Sequence, residues 1–119
     1  MTVILHLVRH AMAEHNATQD HTIPDPPLTQ YGREQATKLN HLTEQNIQQT
    51  AELIVTSPLT RTLQTTTIGF PALRARLEAQ AEPKGIIALS RLQETGVYPC
   101  NFVAHMCIGI LKKNRYAHR

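Results

Sequence analysis

Five residues of this chain have types and spacing suited to chemistry. Arg9 and His10 follow a short apolar run, and Asn16 comes six residues after the histidine. Arg61 lies in Ser57-Pro58-Leu59-Thr60-Arg61, and Glu94 in Leu92-Gln93-Glu94. An imidazole can serve as nucleophile, general base, proton donor or metal ligand. An adjacent arginine narrows that choice. Its fixed charge disfavours imidazolium and repels a metal cation, while its planar fork suits phosphate or carboxylate. Neutral imidazole beside a bound phosphoryl group is set up for in-line attack on phosphorus. The same dipeptide also fits a solvent-facing strand end, so the pair alone leaves both uses open. Asn16 can bond a phosphate oxygen or be an ordinary turn residue. Glu94 can protonate a leaving alcohol and then activate a water, or remain a solvated carboxylate. His10, Glu14 and His15 read H-x-x-x-E-H, one residue longer than the H-x-x-E-H zinc pattern, so no metal site is expected.

These side chains need elements to hold them. Thr2 to Val8 reads as a strand buried on both faces, with Arg9 and His10 at its carboxyl end, where open α/β sheets bind ligands. Residues 11–28 read as a loop, because Pro24-Asp25-Pro26-Pro27 forbids helix. Thr29 caps a predicted helix running to about Gln45, with Leu28, Tyr31, Gln35, Leu39 and Leu42 as its apolar stripe. Ala51 to Thr56 is a second strand. Ser57 and Pro58 then predict a helix from Pro58 to about Ile68, whose N-terminus makes an anion site beside Arg61. Gly69-Phe70-Pro71 ends it. A helix over residues 72–82 and a strand over 85–89 follow, with Glu94 just beyond. The order β-α-β-α-α-β predicts an α/β three-layer sandwich with a mainly parallel sheet.

The 119 residues make one domain at most. Hydrophobic residues are 41% of the chain, with 3 Tyr, 2 Phe and no Trp, so the core is aliphatic. A net charge of +3 and a pI near 9.1 favour anions, yet no nucleic-acid motif is present and no nucleic-acid partner is expected. The chain shows no secretory signal pattern and no run of about 20 apolar residues, so no membrane association is expected. Cys100 and Cys107 lack a CxxC spacing and read as reduced thiols of a cytoplasmic protein. Asn16-Ala17-Thr18 matches a glycosylation sequon and is read as coincidence without secretion.

Four ordered motifs resemble the histidine phosphatase superfamily, the phosphoglycerate mutase-like proteins, in wording closest to fungal members. Leu7-Val8-Arg9-His10 and Asn16 match the Arg-His hallmark and its asparagine. Pro27-Leu28-Thr29-Gln30-Tyr31-Gly32-Arg33-Glu34-Gln35-Ala36 resembles the "PLT-x-x-G-x-x-QA" helix start. Ser57 to Thr65 resembles "SPL-x-R-x-x-QT", and Leu92-Gln93-Glu94 the acid-bearing segment. The resemblance implies a phosphomonoesterase in which His10 becomes phosphohistidine. Arg9, Arg61 and Asn16 hold the phosphoryl oxygens, and Glu94 is the proton donor. It implies no metal or organic cofactor, and as substrate a phosphorylated small molecule or phosphoprotein. The family also places a His-Gly pair after a later strand. Here Phe102-Val103-Ala104-His105-Met106 mimics that strand without the glycine, and His105 is not expected to substitute. Residues 1–99 therefore read as the N-terminal part of such a domain with its C-terminal strands and helices missing, and 100–119 as a divergent basic tail. Beside the phosphatase stand three alternatives: a catalytically impaired phosphate-binding fragment, a mutase-like phosphotransferase, and a basic interaction module. Substrate identity and oligomeric state stay unread.

Overall fold

A computed structural model describes residues 2–92 and 108–114. In order they form β1 (Thr2–Val8), α1 (Glu14–Thr18), α2 (Gln30–Thr43), α3 (Ile47–Thr50), β2 (Leu53–Thr56), α4 (Thr60–Gly69) and α5 (Pro71–Glu78). After these come β3 (Ile87–Ala88), a 3-10 turn at Ser90–Leu92 and β4 (Ile108–Asn114). The α/β alternation follows the expected order. The sheet runs β1-β4-β2-β3. β4 is antiparallel to both β1 and β2, and β3 is parallel to β2, so β1, β2 and β3 share one direction.

The sheet departs from expectation in two ways. Residues 108–114, expected as tail with the C-terminal strands missing, fill the sheet between β1 and β2, pairing Leu5 with Leu111 and Ile54 with Ile110. A strand in that gap satisfies inner backbone groups of both neighbours, and Ile108-Gly109-Ile110-Leu111 is largely of strand-favouring type. The second departure is β1, expected to be buried on both faces. Val3, Leu5 and Leu7 are instead 52%, 49% and 56% exposed. β1 is an edge strand, whereas the core gathers over β2.

That core consists of Ala51, Ile54, Phe70, Leu73 and Leu77, with Val8, Leu39, Ile47 and Ile86 packed against it. α3 was not anticipated. It lies just before β2 and carries Gln48, which is fully buried. Gln48 Oε1 accepts from the N–H groups of Ala72 and Leu73, capping the start of α5, and Nε2 donates to Asn40 Oδ1 and Thr43 Oγ1 on α2. The expected break at Gly69-Phe70-Pro71 is present: Phe70 closes α4 and precedes Pro71 at the first position of α5.

Thr29 caps α2 as expected, accepting from the Gly32 N–H at 3.0 Å. The buried face of α2 differs from the expected stripe, because Tyr31 and Leu42 are more than half exposed while Gly32, Ala36 and Thr43 are buried. Small residues let the helix approach its neighbours. The Cβ that any other residue would place at position 32 would lie 2.0 Å from the Met12 carbonyl oxygen. Gly69 likewise faces Leu39 and the Ala36 carbonyl across the α2–α4 contact. Gly32→Ala should therefore lower stability by about 1–3 kcal/mol, the usual cost of overpacking. Urea unfolding checks this, and an unchanged midpoint would show that the Met12 segment moves aside at little cost.

Candidate active site

β1 ends at Val8, and residues 9–12 leave its carboxyl end between α2 and α4. The first helix anchors them through Gln35, whose Oε1 accepts the Met12 N–H at 2.9 Å. The second does so through Thr65, whose Oγ1 accepts the Ala11 N–H at 3.0 Å. Thr65 donates its own proton to the Arg61 carbonyl at 2.8 Å, which leaves its lone pairs to Ala11. Thr66 bonds back to the Thr62 carbonyl one turn earlier in the same way and the Thr62 hydroxyl donates to the Ser57 carbonyl, so a helix of poor propensity buries these hydroxyls paired.

His10 is half-buried at this clamped segment, and its Nδ1 lies 2.6 Å from the Ala11 carbonyl oxygen. A carbonyl can only accept, so Nδ1 carries a proton, and in the neutral ring Nε2 is the nitrogen with the lone pair. A cleft of about 260 Å³ beside it is lined by Arg9, His10, Ala11, Met12, Asn16 and Gln35. Its size suits a phosphoryl group with a small part of a substrate.

Residues 11–28, expected as loop, contain α1. It begins after Ala13 because the Asn16 Oδ1 reaches back to accept the Ala13 N–H at 3.0 Å. α1 brings Asn16 to the cleft wall and buries His15, whose ring centroid is 6.1 Å from that of His10 and 6.3 Å from that of His21. Burial, and then the positive charges of Arg61, His10, His21 and Arg9, lower the His15 pKa to about 4. Arg61, in the first turn of α4, is only 1% exposed. A guanidinium and imidazoles thus crowd one end of the strand, an arrangement that an anion stabilises.

α4 itself starts later than expected. It runs from Thr60, and Ser57 contributes only a long contact of 3.4 Å from the Leu59 N–H. The anion position expected at its N-terminus is occupied by the chain's own Asp25. The Asp25 carboxylate accepts the Thr60 N–H at 3.0 Å and the Thr60 hydroxyl at 2.6 Å. Asp25 sits at φ 44°, in a left-handed conformation that aspartate tolerates. The Thr60 N–H is therefore already paired within the protein.

The structure brings Arg9, His10 and Asn16 together in one cleft at the strand end, while Arg61 is buried close to His15 and is not among the residues lining that cleft. Glu94 and His105 lie outside the described residues, as do Cys100 and Cys107. Sequence reasoning missed the supporting roles of His15, Asp25, Gln35 and Thr65. For Gln35 and Thr65 the motif letters "QA" and "QT" were the available signal. The preceding Gln64 also anchors a loop, accepting the Leu28 N–H at 2.8 Å.

Comparison with known proteins places this geometry in context. A family model described as histidine phosphatase superfamily (branch 1) matches residues 5–86. A probable phosphatase of Schizosaccharomyces pombe is 35% identical over 100 residues, which are 82% of this chain and 43% of that protein. The crystal structure of phosphoserine phosphatase from Entamoeba histolytica, in complex with 3-phosphoglyceric acid, aligns with TM-score 0.55 and 25% identity, covering 81% of this chain and 41% of that one. A proposed alpha-ribazole-5'-P phosphatase of Escherichia coli aligns with TM-score 0.57 and 24% identity, covering 88% and 47%. The chain thus spans less than half the length of each.

The depressed His15 pKa has a measurable consequence. The unfolded chain takes up this proton near pH 6.5 and the folded protein near pH 4, so stability falls as pH drops through that window. The loss attributable to His15 is roughly 3 kcal/mol by pH 4. Urea midpoints from pH 7 to 4 should fall less steeply in His15→Phe, and equal slopes would contradict this assignment.

Proposed function

Because the chain belongs to the histidine phosphatase superfamily, branch 1, we propose that it is a phosphoric monoester hydrolase working through a phosphohistidine on His10. One observation carries most of this reading. The Ala11 carbonyl accepts the Nδ1 proton of His10, while Thr65 accepts the Ala11 N–H, so in the neutral ring Nε2 carries the lone pair on a fixed backbone. Nε2 attacks phosphorus, the bond to the leaving oxygen breaks, and its electron pair stays on that oxygen. Arg9, Arg61 and one N–H of Asn16 hold the phosphoryl oxygens and offset the charge in transfer, the largest contribution expected in phosphoryl chemistry. Glu94 is assigned by its motif alone to protonate the leaving oxygen. It then takes a proton from the water that cleaves the P–N bond, releasing phosphate and restoring His10.

The substrate class we favour is a small phosphorylated molecule. The cleft is compact, and the Entamoeba structure of similar fold holds 3-phosphoglyceric acid, a small phosphorylated acid. A phosphoprotein would present the same monoester on a larger body. Transfer to a second hydroxyl, in place of water, would make the protein a phosphotransferase. The spacing of Cys100 and Cys107, which makes no CxxC motif, fits a cytoplasmic setting. Among the described residues, no helix is long and apolar enough to cross a membrane.

The test is a single-turnover trap with a generic phosphorus-labelled monoester, quenched in alkali. Label that survives alkali, is lost in acid and is absent from His10→Ala supports the phosphohistidine. No label on folded wild type, with phosphate binding retained, would make the chain a phosphate-binding protein without turnover. Arg61→Gln should slow labelling on the order of 10²–10³-fold, as expected for removal of one preorganised donor. A rate within threefold of wild type would remove Arg61 from the site.

A further inference from the structure

We propose that His15 is a positioning residue that holds the Asn16 amide toward the anion in the Arg9–His10 cleft, an assignment that rests on the phosphate-binding function above. The argument begins with which end of the amide is which. Asn16 Oδ1 accepts the Ala13 backbone N–H at 3.0 Å, so the other end is nitrogen. That nitrogen, Nδ2, lies 3.3 Å from His15 Nε2 and can only donate. Nε2 must therefore be unprotonated, and the single proton of the neutral ring sits on Nδ1. Nδ2 has two hydrogens. His15 takes one, which directs the other to the cleft that Asn16 lines together with Arg9 and His10.

The ring is retained against a structural cost. His15 is 5% exposed, and its Nδ1 has no hydrogen-bond partner among the described residues. A buried donor in that state lowers stability, and a phenylalanine of similar shape would not carry the penalty. What imidazole offers and phenyl lacks is the acceptor at Nε2. Burial of the ring disfavours its charged form, and the guanidinium charges of Arg61 on α4 and Arg9 at the end of β1, with the imidazoles of His10 and of His21 in the loop after α1, add to this. They oppose a proton on Nε2, so the acceptor persists through neutral pH. Asn16 is thereby held at both ends, its oxygen by backbone and its nitrogen by His15.

The test uses inorganic phosphate and the full chain. Phosphate affinity by calorimetric titration is compared for wild type, Asn16→Ala, His15→Phe, His15→Gln and the Phe/Ala double variant. His15→Phe and Asn16→Ala should each weaken binding about tenfold, within the range for a hydrogen bond to a charged group. The double variant should bind no more weakly than Asn16→Ala, because His15 acts through Asn16. His15→Gln, which restores a neutral acceptor, should recover most of the affinity. In wild type, long-range proton–nitrogen correlation spectra should show His15 protonated on Nδ1 and bare on Nε2 at pH 7. If wild type binds phosphate and His15→Phe binds equally well, this proposal fails and the function stands. Additive losses in the double variant, or an Nε2-protonated ring, overturn it equally. A folded wild type that binds no phosphate overturns both.

Discussion

The Met12 carbonyl is the point at which scaffold and site meet. It accepts the Thr29 N–H at 3.0 Å and the Thr29 hydroxyl at 3.3 Å, which ties the start of α2 to the segment leaving β1. That approach is possible only because residue 32 has no Cβ. One turn further along α2, Gln35 takes the Met12 N–H, and from the opposite side Thr65 takes the Ala11 N–H. Ala11 and Met12, the two residues after His10, are thus fixed through their own main chain. In the reaction proposed for His10, a nucleophile followed by so fixed a segment would lose little freedom on reacting, and positioning of that kind lowers a barrier.

Electrostatics complement this rigidity. Arg61 is buried, Arg9 is exposed at the mouth, and three imidazoles lie in a row from His10 through His15 to His21. Burial, and then the charge of neighbouring groups with Arg61 foremost, keeps the His15 ring neutral, and a neutral imidazole accepts as well as donates hydrogen bonds. The site therefore pairs fixed guanidinium charge with imidazole lone pairs, where a row of cations would lack them. Asp25 limits the arrangement in a useful way. By bonding the Thr60 N–H and hydroxyl it keeps a negative charge of the protein's own at the start of α4.

The sheet shows a different kind of constraint. Parallel strands β1 and β2 do not touch; β4 lies between them, antiparallel to both. The core is one-sided, gathered where α4 and α5 cover β2, and β1 is left with apolar side chains in solvent. Polar links supplement that small core. Gln48 joins α2, α3 and α5 through one buried amide, and Arg76 donates to the carbonyls of Gln48 and Ala51. Each such link satisfies groups that would otherwise be buried unpaired.

Local signals determined much of this protein. The Thr29 cap, the break at Gly69-Phe70-Pro71, the strands around β1 and β2, and the placement of Arg9, His10, Asn16 and Arg61 were all legible in the sequence. Each depends on backbone preference or on neighbours a few positions away. What sequence left hidden depends on partners distant along the chain. The start of α4 is set by Asp25, 35 residues earlier, and the clamp on Ala11 by Thr65, 54 residues later. The buried face of α2 shifted from large residues to Gly32 and Ala36, because close approach to the Met12 segment and α4 outweighed apolar periodicity. Residues 108–114, read as part of a basic tail, form a strand because two other strands leave backbone groups for it to pair. His15 looked like half of a failed metal motif, and only its burial beside Asn16 and Arg61 gives it a role. Propensity and spacing act locally, whereas hydrogen-bond satisfaction and close packing are settled only when distant segments meet.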